Sequence, residues 1–150
     1  MKAVLQRVSE ASVSIKGKVH GKISQGLIVL LGIHDIDTEE DLQWTVKKLL
    51  DMRVFSDEDG KMNLSVKDLK GELLVVSQFT LYATTKKGNR PSFIQAARPE
   101  KAIPLYEKFK EECAKGLGKA IQSGSFGADM KVSLVNDGPV TIIIDSLNKD

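Results

Sequence analysis

The chain has 150 residues and carries 22 Lys and Arg against 20 Asp and Glu, a net charge of +2 that does not indicate an extended surface for wrapping duplex nucleic acid. This length predicts one domain, residues 1–150, with a core large enough to fold without disulfides. The single cysteine excludes an internal bridge, and no signal peptide or apolar run of about 20 residues is visible, so we expect a cytoplasmic protein with no membrane partner.

The first third of the chain predicts strands followed by a helix. Apolar and β-branched residues favour strands over residues 3–9, 12–15, 19–24 and 26–33, with a turn at residues 16–18. Thr38 then offers an N-cap, and the three acidic residues after it suit the positive end of a helix dipole. The inward face of this helix is predicted from apolar residues at helical spacing, namely Leu42, Val46, Leu49 and Leu50.

A further strand is predicted over residues 72–79, after a turn-rich stretch at residues 56–61. It begins with the apolar run ELLVV, so Ser77, Gln78 and Thr80 are expected at its C-terminal end. Phe79 is expected to anchor these three residues by packing into the protein. The alternative is an ordinary strand end, because a lone Ser or Thr is common there.

A long loop over residues 84–98 follows this strand. Its basic residues either contact phosphates or form a solvated charge run, and they are Lys86, Lys87 and Arg90.

The second helix is predicted over residues 101–117, with an inward stripe formed by Tyr106, Phe109, Cys113 and Leu117. Pro104 implies either that the regular helix begins near Ala102 or that it is kinked. Two final strands, residues 131–135 and 140–144, are expected to pair around a turn at Gly138 and Pro139.

The elements together predict an α/β fold. Mixed, largely antiparallel sheets would curl into a sandwich or open barrel with the two main helices outside. The segment SGSFG, residues 123–127, either presents backbone amides to an anion or is a flexible connector.

Four segments carry a family resemblance when they are taken together. They are MKAVLQRVSEASV at the start, SQFTLYA, GNRPSF, and SGSFGADMKVSLVNDGPVT near the end. With them the chain resembles the D-aminoacyl-tRNA deacylases, the D-tyrosyl-tRNA deacylase family, over essentially its full length. The resemblance implies a proofreading hydrolase that cleaves the ester at the 3′ acceptor end of D-aminoacyl-tRNA, works as a homodimer with active sites at the interface, and uses no cofactor.

The aminoacyl ester is activated, so positioning and stabilisation of the developing oxyanion can suffice for its hydrolysis. We expect the catalytic segment to be Ser77, Gln78, Phe79 and Thr80, with the main-chain N–H groups of Phe79 and Thr80 facing the carbonyl oxygen. The Thr80 hydroxyl is either a nucleophile or a group that orients water. Without an adjacent base it is a weak nucleophile, so a backbone role assisted by the substrate's 2′-hydroxyl is favoured.

Rejection of L-aminoacyl-tRNA is expected to dominate the design of the site. The resemblance implies that Gly138 and Pro139, joined by a cis bond, reach into the partner's pocket, that Asn136 belongs to the same motif, and that Arg7 holds it. An exposed strand arginine is the alternative for Arg7. A pocket that works by exclusion would also cleave glycyl-tRNA.

No metal site is expected, because His20 and His34 lie on different predicted elements and no cluster has ligand spacing. Cys113 is expected to be a buried thiol. Two other functions remain open: a threonine- or serine-dependent esterase or amidase for small molecules, and a non-catalytic module that binds the tRNA end.

Overall fold

The computed structural model describes residues 1–149, which form eight strands, two α-helices and a short 3-10 helix. The strands are β1 (Lys2–Ile15), β2 (Lys18–Ile23), β3 (Gly26–Gly32), β4 (Phe55–Ser56), β5 (Met62–Leu64), β6 (Glu72–Ser77), β7 (Gln122–Ser123) and β8 (Met130–Asp145). The helices are α1 (Glu39–Asp51), the 3-10 helix (Phe79–Tyr82) and α2 (Pro99–Leu117). None of the helices in this described part is long and apolar enough to cross a membrane.

The main sheet has the order β2-β1-β3-β6-β7, with β8 paired to the other edge of β1. Its first pairs are antiparallel, whereas β3 with β6 and β6 with β7 are parallel. The result is a nearly closed, barrel-like mixed sheet, and the predicted fold class is confirmed.

Both faces of the central strands are buried, which explains why their sequences are continuous apolar runs. On β6, Leu73 and Val75 join the core beneath the helices, whereas Leu74 and Val76 join a second cluster on the opposite face. Because the side chains of a strand alternate in direction, β6 is packed on both faces up to Val76, next to its last residue, Ser77.

The predicted first helix is confirmed, because α1 follows Thr38 directly. The Asp41 carboxylate accepts hydrogen bonds from the Thr38 N–H and hydroxyl, each at 2.9 Å, and so caps the first turn. The second helix begins at Pro99, two residues earlier than predicted, because proline is favoured in the first turn. Pro104 lies inside this helix, so the first of the two alternatives, a regular start near Ala102, is wrong.

Three strand predictions were also wrong, two because long-range pairing overrides local signals and one because a 3-10 helix follows the strand. Residues 3–9 and 12–15 belong to the single strand β1, which β8 accompanies along its length. The segments 131–135 and 140–144 do not pair with each other, since both pair with β1 as parts of β8. The strand expected over residues 72–79 ends at Ser77, and Phe79 opens the 3-10 helix.

Candidate functional site

A pocket of about 290 Å³ lies where β6 ends. One part of its lining is the segment from Val76 to Phe79, and another comes from residues 126–130, which lead into β8. Leu31 near the end of β3 and Ile33 just after it add apolar lining. The pocket is therefore lined both by the polar end of β6 and by a loop from a distant part of the chain.

The 3-10 helix begins beside this pocket, and its first turn leaves two backbone N–H groups without an acceptor of its own. Gln78 N donates to Leu31 O at 2.7 Å, and the first bond of the helical turn joins Leu81 N to Gln78 O at 3.2 Å. The N–H groups of Phe79 and Thr80 lie before that bond, so the turn itself gives them no acceptor. Two adjacent N–H groups of this kind are suited to stabilising an oxyanion.

The Thr80 hydroxyl is exposed and accepts a hydrogen bond from the side-chain amide of Gln78. An amide does not take up a proton, so this contact orients the hydroxyl without activating it as a nucleophile. Ser77 is half-buried and lines the pocket beside Gln78.

Phe79 is not the anchor that the sequence predicted, because 55% of the residue is exposed. Its ring packs edge-on against Phe93, with centroids 5.1 Å apart, and forms part of the pocket wall. The anchor is Tyr82, which is 5% exposed and packs edge-on against His34 at 4.9 Å. Burial, together with the nearby Asp37 carboxylate, raises the pKa of Tyr82 above its usual value, so the phenol stays protonated.

Gly32 supports the 3-10 helix from behind and was missed by the sequence reasoning. A Cβ atom at this position would lie 3.1 Å from Gln78 O, 3.1 Å from Leu81 Cβ and 3.2 Å from a Tyr82 ring carbon. A glycine that ends a buried strand is a signal of such close backbone approach.

The motif NDGPVT forms a bulge in β8. Gln6 pairs with Thr141 and Val8 pairs with Asn136, so residues 137–140 lie opposite Arg7 alone. Gly138 and Pro139 are exposed, Gly138 has φ of +132°, and the peptide bond between them is cis. The two residues therefore project from the strand instead of forming a hairpin turn.

Arg7 holds one side of this bulge. Its Nε donates to Asp137 O at 2.9 Å and its Nη1 donates to Val54 O at 2.7 Å. The Asp137 carboxylate lies 3.8 Å from Arg7 Nε. The Arg7 side chain is thus mostly buried, and its guanidinium group is hydrogen-bonded through both Nε and Nη1. The alternative of an exposed strand arginine was wrong.

Gln6 ties the two ends of the bulge together, a role that the sequence did not reveal. Its side-chain oxygen accepts from Asn136 Nδ2 at 3.1 Å and from the Thr141 hydroxyl at 3.0 Å. The only signal was its position next to Arg7 in the segment QRV.

The bulge does not line the pocket of its own chain. Arg7, Asn136, Gly138 and Pro139 are all absent from the residues that bound it. The structure of one chain thus brings together Ser77, Gln78 and Phe79 as predicted, with Thr80 next to them, but it leaves the two halves of the predicted site apart.

The basic loop also lies outside the pocket. Lys86, Lys87 and Arg90 are exposed on a loop whose ends are joined by two hydrogen bonds between Thr84 and Ser92, at 2.8 and 3.0 Å. By contrast, the SGSFG segment supplies Phe126 and Gly127 to the pocket wall.

Among residues 1–149, no three His, Cys, Asp or Glu side chains converge as a metal site would require. His20 Nδ1 lies 2.9 Å from Ser123 O, whereas His34 packs on Tyr82. Cys113 is fully buried, and burial raises the pKa of its thiol to about 12, so it has little nucleophilic thiolate.

Comparisons with known proteins give a consistent result. The family model described as D-Tyr-tRNA(Tyr) deacylase matches residues 4–145. A protein of Flavobacterium psychrophilum named D-aminoacyl-tRNA deacylase is 60% identical over 150 residues, covering 100% of both chains. A protein of the same name from Cytophaga hutchinsonii is 62% identical over 149 residues, covering 99% of both.

Two solved structures share the fold. One, described as the c-Myc DNA Unwinding Element Binding Protein, has a TM-score of 0.92 and 46% identity, covering 97% of this chain and 98% of that one. The other, described as a probable eukaryotic D-amino acid tRNA deacylase, has a TM-score of 0.82 over 95% of this chain and 97% of that one. Its 19% identity supports a likeness of fold alone.

Proposed function

Since the chain belongs to the D-Tyr-tRNA(Tyr) deacylase family and is a hydrolase of the D-aminoacyl-tRNA ester, we propose which of its residues carry out the reaction and which limit it to D-aminoacyl substrates. The single observation that carries the proposal is the pair of N–H groups, on Phe79 and Thr80, to which the 3-10 turn gives no acceptor, beside the pocket at the end of β6. The substrate is the 3′ acceptor end of D-aminoacyl-tRNA, in the cytoplasm where aminoacyl-tRNA is used.

In the proposed reaction, the ester carbonyl oxygen lies against the N–H groups of Phe79 and Thr80. Water attacks the carbonyl carbon, these donors stabilise the oxyanion, and the bond to the ribose oxygen breaks to release the D-amino acid, while the proton lost by the water passes to that ribose oxygen. The substrate's own 2′-hydroxyl assists, since the Thr80 hydroxyl is held by an amide and has no base. Loss of one such oxyanion donor typically slows a reaction by about 100- to 1000-fold.

Chiral selection is proposed to come from a second subunit. Gly138 and Pro139 project outward and do not reach the pocket of their own chain, as expected of a motif that completes the pocket of a partner. Exposed apolar residues on the same strand, Val132 and Val135, are 36% and 49% accessible and offer surface for a homodimer. In this arrangement backbone atoms of the bulge occupy the space that an L side chain needs, and Arg7 and Asn136 hold the bulge in place.

The basic loop is proposed to guide the acceptor end. Lys86, Lys87 and Arg90 are exposed near the end of the catalytic turn, separated from it in sequence by only a few residues. Contacts of this kind would be to phosphates, so they would position the RNA without reading its sequence.

The test is single-turnover deacylation of matched D- and L-tyrosyl-tRNA, with a free D-tyrosine ester as a third substrate. We expect cleavage of the D-aminoacyl-tRNA alone. Equal cleavage of the free ester would support a small-molecule esterase, and tight tRNA binding without loss of either ester would support a non-catalytic module. Sedimentation of the active protein as a monomer would contradict the shared site.

A further inference from the structure

A basic surface surrounds Trp44 on α1, outside the site described above. We call it the Trp44 surface and define it by Lys2, Trp44, Lys47, Lys48 and Lys149. Two adjoining depressions, of about 410 and 360 Å³, share Trp44 as a common wall. An aromatic ring with lysines on both sides is a recurrent feature of surfaces that hold nucleic acid.

The lysines of the Trp44 surface are arranged around the indole ring. The Nζ atoms of Lys149 and Lys48 lie 5.0 and 5.9 Å from the ring centroid, within the range of cation–π attraction. These contacts hold the two ammonium groups near the indole ring before a ligand binds. The side chains therefore lose less conformational entropy on binding.

The surface also has an excess of positive charge. Asp145 lies 3.5 Å from Lys2 of the surface itself, and Asp51 lies 3.0 Å from Lys67, which lies outside the surface, so each of the two carboxylates has a lysine partner. Within residues 1–149, no carboxylate forms an ion pair with Lys47, Lys48 or Lys149. Their charges are therefore available to an anionic partner.

Strand register places this surface at the same edge of the sheet as the catalytic turn. Lys2 pairs with Asp145 on one side and with Gly32 on the other, and Leu31 next to Gly32 pairs with Ser77. Three strand spacings of about 4.8 Å separate Asp145 from the end of β6, a distance of about 14 Å. Lys2 bridges the interval, because its Nζ lies 5.2 Å from the ring centroid of Tyr82 in the 3-10 helix.

Resting on the proposed deacylase function, we propose that the Trp44 surface binds backbone phosphates of the tRNA acceptor stem while the 3′ end occupies a catalytic pocket. A stacked strand advances about 3.4 Å per nucleotide, so about four nucleotides span the 14 Å interval. The aminoacyl ester and the phosphates a few nucleotides before it thus match the spacing between the pocket and the Asp145 side of the Trp44 surface. A second copy of this chain fits less well, because it would bring like charges together.

The test uses the variant Lys47→Glu/Lys48→Glu in the full-length protein. Equilibrium binding of uncharged tRNA is measured over a range of salt concentrations, so that this arm does not depend on catalysis. We expect binding to weaken by at least about 10-fold, and the slope of log affinity against log salt to fall by about 2, one unit for each lysine.

The second arm compares deacylation of full-length D-tyrosyl-tRNA with that of a D-tyrosyl ester of the 3′-terminal trinucleotide. We expect KM for the tRNA to rise while kcat and cleavage of the trinucleotide ester stay unchanged. The neutral variant Lys47→Gln/Lys48→Gln should show a smaller loss of the same kind. Trp44→Leu should weaken tRNA binding by about 2- to 5-fold, because the ring face that holds the ammonium groups is lost.

The matched control is Lys16→Glu/Lys18→Glu, which makes the same charge change at the far end of β1 from Lys2. The control should bind tRNA with nearly wild-type affinity. Unchanged tRNA affinity and salt slope in Lys47→Glu/Lys48→Glu would overturn the proposal. An equal loss of activity on the trinucleotide ester and on the full tRNA would also overturn it, as would conversion of a dimer to monomers by the substitutions. Failure of the deacylase function itself would appear in the wild-type protein, as no cleavage of either ester.

Discussion

Replacing Gly138 by alanine places a methyl group where the bulge has no room for one. The added Cβ would lie 2.8 Å from Val140 Cγ2, 2.9 Å from Arg7 Nη2 and 3.0 Å from Val140 N. In addition, φ at Gly138 is +132°, a conformation that residues with a side chain rarely adopt. Either the alanine stays strained, at about 1–3 kcal/mol, or the bulge moves and Arg7 loses its bonds to Asp137 O and Val54 O.

Movement of the bulge would withdraw the backbone that is proposed to exclude L side chains. If 1–3 kcal/mol of discrimination is lost, the ratio of D to L cleavage falls by about 5- to 150-fold, since 1.36 kcal/mol corresponds to a factor of ten. The assay is single-turnover deacylation of D- and L-tyrosyl-tRNA by the variant at saturating enzyme, together with its denaturant unfolding.

The matched control is Gly17→Ala. Gly17 also has a positive φ, +76°, but a Cβ there would meet no atom within 4 Å. This control shares the backbone strain and lacks the contacts with Arg7 and Val140, so it should keep wild-type selectivity. If Gly138→Ala and Gly17→Ala have the same rates and the same D/L ratio, the assignment of selection to the bulge is wrong.

Four further predictions follow from the same contacts. Thr80→Val should retain deacylation within about tenfold, because the hydroxyl is held by an amide, and a folded variant at the uncatalysed rate would restore the nucleophile hypothesis. Glycyl-tRNA should be cleaved at a rate near that of D-alanyl-tRNA. If glycyl-tRNA instead resists cleavage as L-alanyl-tRNA does, steric rejection of L side chains cannot be the whole basis of selectivity. Asp37→Asn should lower the free energy of unfolding by about 3–5 kcal/mol, as measured in denaturant, because the buried Met1 ammonium loses its ion pair. Thiol reagents at neutral pH should label Cys113 only at the rate of unfolding, because burial raises its pKa to about 12, and faster labelling would show an accessible thiolate.

Structural features that depend on residues close together in the sequence could be predicted from the sequence alone. The first helix was confirmed, since its cap, acidic first turn and apolar face all lie within a few turns of one another. The strand character of residues 26–33 and 72–76 was equally clear, because strands buried on both faces need continuous apolar runs. The segments around Ser77 and Gly138 were proposed as a site from their resemblance to a family, because their local composition alone also fits ordinary strand ends.

Only the tertiary structure decided how those segments meet. The bulge at residues 137–140 exists because β1 pairs with both halves of β8, a register set by contacts about 130 residues apart in sequence. The same long-range pairing made Gln6 the tie across the bulge and Gly32 the support of the 3-10 helix, and it placed the Trp44 surface at the edge of the sheet where β6 ends. Local propensity carries no information about such pairings, since each depends on which distant strand comes to lie alongside.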